Sequence, residues 1–570
     1  MWPASIALLL AAILIATGGG IAYAYWSATS TAGSAGAARA ATVNQGATPT
    51  ASATGTTISV NWAAGTLSTG TAATGYIVKR YDVATLTAQT VLAGCAGTIT
   101  TTSCTESGVP VGQWKYSVTP LFATNWIGPE SSLSTPVWSD STPPTNVLDV
   151  ANRTGSGSYL TGSTVYYKGS SAGTFQLSNS LTDSGSGPAS STTTALAGTS
   201  TGWAHTPSTV SSPVGGPYVS NVFSWTAGTT SNPTETVTGT DNAGQTSATT
   251  LSFVNDSTAP SAGTITYQAG AISGTTLSIS FTTGTDAGSG IGARQLQRAT
   301  APLSGTTCGT FGAFATVTGG NNPVSPFTDT VTAGNCYQYQ YVAQDIVGNT
   351  TTATSPNIAT KFAGAYWALD AGSGTNAIDS WGNGNNGTLQ SGATWTTGRI
   401  GTNAVSLNGL TGYIDDPVTA IDTTQSYTVS AWVNLNNLVG FQTIASIDGT
   451  SASAFYLQMQ GGKFAMTVRT TDSTTGTQIL VPALAAPTVG TWYHIAGVYD
   501  SSTQTIALYV NGTLQGTASF TNAWKGTGHT AIGRGKWNGA NVDFTNGAVD
   551  DVHMFQSALT QTQIATLAAG

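Results

Sequence analysis

The sequence predicts an all-β chain of several sandwiches in tandem, and three observations carry that reading. Short segments throughout alternate polar and apolar residues with period 2, the mark of a half-buried strand. Gly, Asn, Asp and Pro punctuate them at the short intervals that turns require. Two short motifs also recur at a spacing of roughly 100 residues, the size of one β-sandwich.

Length and composition set the limits. At 570 residues the chain suggests roughly three to five domains. Charged residues make up only 7%, while Trp 15, Tyr 20 and Phe 15 supply enough aromatic volume for real cores. Thr, Ser, Gly and Ala dominate the remainder, as in extracellular sandwiches with many tight turns. The net charge of −8 and the absence of any Lys/Arg cluster exclude nucleic acid and an anionic membrane surface as partners.

Residues 1–24 read as an export signal. An apolar run from Ile6 to Ala16 precedes Gly18-Gly19-Gly20, and Ala22-x-Ala24 fits the small-residue rule for cleavage before Tyr25. No Lys or Arg stands before the run, and an uncleaved anchor is the alternative, which would make this segment the chain's only membrane contact. Residues 25–44 read as a linker. The expected location is secreted or at the cell surface.

Cysteine use agrees with export. Cys95 and Cys104 fall within one candidate module, and Cys308 and Cys336 within another. Their separations and the lack of nearby His oppose zinc, so two local structural disulfides are expected.

The recurring motifs mark the modules. Asp140-Ser141-Thr142-Pro143-Pro144 returns as Asp256-Ser257-Thr258-Ala259-Pro260, and Asp241-Asn242-Ala243-Gly244 returns as Asp345-Ile346-Val347-Gly348. The Pro-containing pieces read as linkers and the Asp-x-x-Gly pieces as turns between late strands. Modules at 45–139, 140–257 and 258–360 follow. In the first, Trp114-Lys115-Tyr116-Ser117-Val118 alternates; in the third, Tyr337-Gln338-Tyr339-Gln340-Tyr341 does. These two resemble fibronectin type III or related immunoglobulin-like domains. The middle module is an immunoglobulin-like one in which Ser184–Thr201 is expected to be a long loop. A stalk is the role such modules imply.

Residues 361–570 form the last domain. Ser426–Val433 and Trp492–Tyr499 alternate as strands, and Ile506–Val510 runs into Asn511-Gly512, the strongest short hairpin signal. Thr560-Gln561-Thr562-Gln563 has the spacing of a capping box that would open a terminal helix. Two acidic clusters bracket the strands: Asp379-Ser380-Trp381-Gly382-Asn383-Gly384 and Asp550-Asp551. Oxygen-rich loops of this kind suit a hard cation such as calcium.

Trp367-Ala368-Leu369-Asp370, the Asp379 loop, Trp432-Val433, Trp492–Ala496, Leu508–Gly512 and Asp550-Asp551-Val552 together resemble the laminin-G-like branch of the concanavalin-A-like jelly-roll superfamily. The full expectation is therefore tandem immunoglobulin-like sandwiches followed by a C-terminal concanavalin-A-like jelly roll. The resemblance implies calcium held where the Asp379 loop meets the late acidic strand, with Asp379, Asn383, Asp550 and Asp551 as candidate ligands. An Asx-turn in the loop and a solvent-facing Asp pair form the alternative.

Aromatic and hydrogen-bonding residues on Gly-rich loops suit sugars, which need a flat apolar face and directional polar contacts. Gly533-Arg534-Gly535-Lys536-Trp537-Asn538-Gly539 offers them, so Trp537, Arg534, Lys536 and Asn538 are the candidate ligand contacts; core aromatics near strand ends would give the same pattern and are the alternative. Catalysis is not expected. The three glutamates, Glu106, Glu130 and Glu235, all precede residue 361. A glycosidase needs two facing carboxyl groups, and Asp550 and Asp551 would point to opposite faces of a regular strand. His494, beside Trp492 in an alternating strand, reads as a packed histidine. The sequence thus points to a non-enzymatic protein whose jelly roll recognises extracellular polysaccharide or glycoconjugate with calcium support. A structural protein that binds a surface protein is the alternative.

Overall fold

Period-2 alternation in the sequence returns as alternation of burial. The computed structural model describes residues 40–155 and 157–570, so the expected export signal and residues 25–39 of the linker lie outside the described residues. The single helix among those residues is Gln561–Ala569; all other regular elements are strands. No described helix is long and apolar enough to cross a membrane. The chain divides into two compact units, one reaching Thr258 and including Ile346–Gly348, the other comprising Ala259–Asp345 and Asn349–Gly570.

The first unit holds two sandwiches. In the first, Gly75–Asp82 and Gly112–Phe122 pair antiparallel, facing a sheet of Thr50–Thr54, Thr57–Asn61 and Ser103–Glu106. Val60, Trp62, Tyr76, Tyr116 and Val118 fill the space between them, and Cys95 and Cys104 are bonded as expected. Arg80 is buried against Glu106, which also accepts from the Tyr116 hydroxyl at 2.7 Å. In the second sandwich, Thr234–Asp241 alternates half-buried and buried residues along its whole length, beside Thr246–Asn255. Phe175, Phe223, Trp225 and Phe253 stack at its centre. One expectation needs correction here. Pro188–Thr193, read as loop, is a strand between Thr234–Asp241 and Ser208–Val210. Its small polar residues hide the pattern, because its register is set by its neighbours and not by its own hydrophobicity.

The second unit opens with another sandwich. Asn335–Asp345 carries Tyr337, Tyr339 and Tyr341 inward, and it pairs along Ile291–Ser304. Cys308 and Cys336 are bonded, as expected. The rest is a jelly roll of two eight-stranded sheets. One contains Tyr427–Leu435, Trp492–Asp500, Thr505–Val510 and Asn546–Phe555; the other contains Ile414–Asp416, Gln442–Asp448, Ser453–Gln460, Lys463–Arg469 and Gln478–Pro482. Val429, Val433, Phe455, Leu457, Met466, Ile495 and Val552 meet between them. Each such side chain contributes about 1.5–3 kcal/mol by leaving water. Asn511 and Gly512 adopt φ of 49° and 75°, so the expected hairpin forms.

A smaller core lies on the outer side of the first jelly-roll sheet. The terminal helix, opened by the Thr560/Gln563 capping box, buries Ile564 beside Trp381, Val498 and Phe555. The helix also reaches the third sandwich: Gln563 Nε2 donates to Ser304 O and Thr307 Oγ1, both at 3.2 Å. Gly305 N donates to Ser557 Oγ at 3.1 Å. Nearby, the fully buried Lys361 donates its ammonium to the Trp381 carbonyl.

His494 is buried on this side, edge-on to Trp432 with ring centroids 5.6 Å apart. Burial, aided by His553, pulls its imidazole down to about 3. The unfolded chain binds that proton near pH 6.5 and the folded chain does not, so the stabilisation is complete above about pH 6.5 and is lost as pH falls towards 3. A His494→Gln variant should therefore be less stable than the parent at pH 7. That gap should shrink by about 2 kcal/mol on going to pH 5, read from urea unfolding at the two pH values.

Candidate functional site

The two acidic clusters sit near the outer core of the jelly roll. Asp379 is buried and uses both carboxylate oxygens on backbone donors of its own loop and of the Gly364–Trp367 strand. Oδ1 accepts from Trp381 N at 3.0 Å and Tyr366 N at 3.2 Å, and Oδ2 accepts from Asn383 N at 2.8 Å. Asn383 turns its amide hydrogens to Phe362 O and Gly364 O, at 2.9 and 2.8 Å. The loop is an Asx-type turn pinned by a carboxylate. A cation bound by Asp379 would have to displace these donors.

Asp550 and Asp551 depart from the regular strand that their sequence suggests. Ser430 faces His553 and Trp432 faces Asp550, so the late strand carries one extra residue, and Asp551 adopts φ of 50° at that bulge. Val549, Val552 and Met554 all enter the core. The bulge thus turns both acids away from the core, where the period-2 rule put them on opposite faces. Asp550 Oδ2 accepts from Arg399 N and Ile400 N at 2.7 and 2.9 Å, while its Oδ1 is buried without a partner. Burial pushes this carboxyl up to about 6. Asp551 accepts from the Tyr366 hydroxyl at 2.6 Å and lies 3.8 Å from His553 Nδ1. None of the four candidate ligands belongs to a group of three acidic, His or Cys side chains close enough to share an ion among the described residues.

The second jelly-roll sheet carries a groove on its outer face. A cavity of about 340 Å³ is lined by Tyr456, Gln458, Thr467, Arg469 and Gln478 from three adjacent strands. Phe441 and the Trp537, Val542 and Asp543 positions close it. Trp537 comes from the hairpin Gly535–Trp537 and Ala540–Val542, whose tip is Asn538-Gly539 with φ of 47° and 75°. Arg469 lies over the Trp537 ring at 4.4 Å, and its Nη2 donates to Thr474 O at 3.0 Å. It forms no ion pair among the described residues. Gln458 donates to Gln460 Oε1 and Thr467 Oγ1, both at 2.9 Å. Desolvation raises the Asp543 carboxyl above its ordinary range.

Of the four expected ligand contacts, Trp537 alone lines this cavity. Arg534 is a buried strut: its guanidinium donates to both oxygens of Asp448 at 2.9 and 2.8 Å and to Asp415 at 3.2 Å. Its flanking glycines suggested an exposed loop, but they let the backbone pack closely against Leu407 on one side and Tyr456 on the other. Lys536 is half-buried with its ammonium 3.7 Å from Asp448, and Asn538 is an exposed turn residue. The Trp524 indole N–H donates to Arg469 O at 2.9 Å. The missed groove residues Tyr456, Gln458, Arg469 and Gln478 lie on strands that carry no loop-like signal.

Comparison with known proteins narrows the fold of this domain. Residues 407–565 match the family model of the concanavalin A-like lectin/glucanases superfamily. The groove and the Asp550-Asp551 bulge of this lectin-like domain lie inside the match; Asp379 and Asn383 precede it. A search of curated proteins finds no match. Similar solved structures include domain 4 of AbnA, a GH43 extracellular arabinanase from Geobacillus stearothermophilus, in complex with arabinotriose. It is 23% identical, covers 36% of this chain and 97% of its own, and has a TM-score of 0.30. The CBM40 of the Ruminococcus gnavus IT-sialidase is 16% identical over 26% of this chain and 84% of its own, with a TM-score of 0.23. The SAP-like pentraxin from Limulus polyphemus is 20% identical over 27% and 72%, with a TM-score of 0.22. What the lectin-like domain binds has to be argued from its own residues.

The Arg534 assignment has a direct check. Arg534→Ala leaves Asp448 buried without its partner, which should cost about 3–5 kcal/mol of stability in the lectin-like domain. Calorimetric unfolding of the full chain should show that loss in one transition.

Proposed function

We propose that the lectin-like domain binds extracellular carbohydrate, without chemistry, in the groove beside Trp537, and that the preceding sandwiches space it from its point of attachment. The observation that carries this reading is the composition of the groove. An indole stacked on a guanidinium stands beside the exposed carboxamide of Gln478 and the half-buried Asp543, over a floor in which Gln458 and Thr467 are buried and bonded to each other. Such a surface offers a sugar both a flat apolar face and directional donors and acceptors. Among the described lining residues the one carboxyl is Asp543. The paired carboxyl groups of a glycosidase would need a second, which supports binding over hydrolysis.

Calcium support for the domain stays within the proposal through Asp550, whose buried Oδ1 lacks a partner. A protein ligand is the second reading, favoured by exposed Phe441 on the groove and exposed Val439 close by in sequence.

The test is a glycan array probed with the full chain, in calcium and again in EDTA. Binding to a defined glycan class is expected, and Trp537→Ala should weaken it roughly tenfold or more, about 1.4 kcal/mol. Loss of binding in EDTA supports an ion, and retention assigns recognition to the groove alone. A folded chain that binds no glycan sinks the carbohydrate reading and moves the assignment to a protein ligand.

A further inference from the structure

Three carboxylates meet where the first sandwich leads into the second. Asp140 follows the Val137–Ser139 strand, Asp183 lies in a loop of the second sandwich, and Asp241 ends its Thr234–Asp241 strand. Each offers an oxygen within 4.8 Å of the other two. Asp140 and Asp241 are buried and Asp183 is half-buried. None forms an ion pair among the described residues.

Local turns account for only part of their bonding capacity. Asp140 accepts from Thr142 N at 2.9 Å and Ser186 N at 2.7 Å. Asp183 Oδ2 accepts from Gly185 N and Gly187 N at 3.0 and 2.6 Å. Asp241 Oδ1 accepts from Ala243 N and Gln245 N at 2.9 and 2.8 Å. That leaves Asp183 Oδ1 and Asp241 Oδ2, both buried and both without a hydrogen-bond partner. Asp241 is only 2% exposed, so water does not satisfy the second of these. A buried acid without a counter-charge is a costly arrangement unless something cationic fills it.

The backbone is shaped to the cluster. At Gly185 a Cβ would stand 2.1 Å from Asp140 Oδ2, so only glycine lets the loop close on that carboxylate. The sequence repeats the whole set. Asp140-Ser-Thr, Asp183-x-Gly-Ser-Gly and Asp241-x-x-Gly return in the same order as Asp256-Ser-Thr, Asp286-x-Gly-Ser-Gly and Asp345-x-x-Gly.

We propose that Asp140, Asp183 and Asp241 form a calcium site that fastens the exit of the first sandwich to the tip of the second. Oxygen-only ligation by carboxylates selects a hard cation, and the absence of His and Cys from the group opposes zinc. The two orphan oxygens are the direct ligands, together with Asp140. The unspent charge of the cluster supplies the affinity, and the three turns supply the rigidity.

Asp183→Asn and Asp241→Asn make discriminating variants. In each, the amide oxygen can keep the turn's N–H bonds while an NH₂ group replaces the orphan oxygen. Calorimetric titration of the EDTA-stripped full chain with CaCl₂ should show one equivalent fewer bound by either variant than by the parent. In EDTA both variants should unfold at the parent's temperature or above it, because repulsion is relieved. In CaCl₂ the parent transition should rise by more than theirs. Equal calcium uptake by parent and variants would overturn the proposal, as would a parent that takes up none. Asp183 is half-exposed, so its variant keeps the test open should Asp241→Asn fail to fold.

Discussion

The groove depends on one buried charge. Arg534 forks onto Asp448 and reaches Asp415, which joins the strands Gln442–Asp448 and Ile414–Asp416 to the segment that becomes the Trp537 hairpin. From Asp448 the linkage runs outward. Ser453 Oγ donates to Asp448 and accepts from Lys536 N at 2.9 Å, and the Tyr456 hydroxyl donates to Lys536 O at 2.6 Å. Trp537 follows directly, bridged to Ala452. A guanidinium with five fixed donors can hold several acceptors at once, which a lysine at this point could not. The indole on the groove is positioned from beneath through the backbone, and its ring packs against the Arg469 guanidinium.

A chain with so few charges spends its acids mainly on backbone. Asp379, Asp472 and Asp550 each accept two or more N–H groups from turns, and Asn408 does the same. Short strands make many turns, and each turn leaves donors that must find acceptors. Such carboxylates are structural in the same sense as a helix cap. An acid with oxygens left over after that duty stands out, and Asp183, Asp241 and Asp550 are of that kind.

The fold was legible where burial is one-sided. Tyr337, Tyr339 and Tyr341 alternate in sequence and all face the core, and Asn511-Gly512 marked its hairpin without tertiary information. Legibility failed where the second face is covered too. In Ser453–Gln460 the core takes Phe455, Leu457 and Met459, but Tyr456 and Gln458 on the other face are buried as well, so the groove floor gives no surface signal. Trp537 could be found because its polar neighbours are on a turn, whereas Arg534 was misplaced because glycines mark close packing as readily as exposure. The Asp551 bulge is set by the partner strand and has no local signature. The Asp140 cluster is scattered along the chain, and its motifs read singly as linker and turn.

The terminal helix has a mechanical consequence. The third sandwich runs into the jelly roll through the chain itself, and Lys361 fixes that crossing on Trp381. Gln563 and Ser557 make a separate attachment back to the Ser304–Thr307 hairpin. A single tether acts as a swivel, while two anchorage points resist torque. Tension arriving through the third sandwich would reach the groove with its heading preserved, and clipping the terminal helix would remove the Gln563 contacts while leaving that of Ser557 in place.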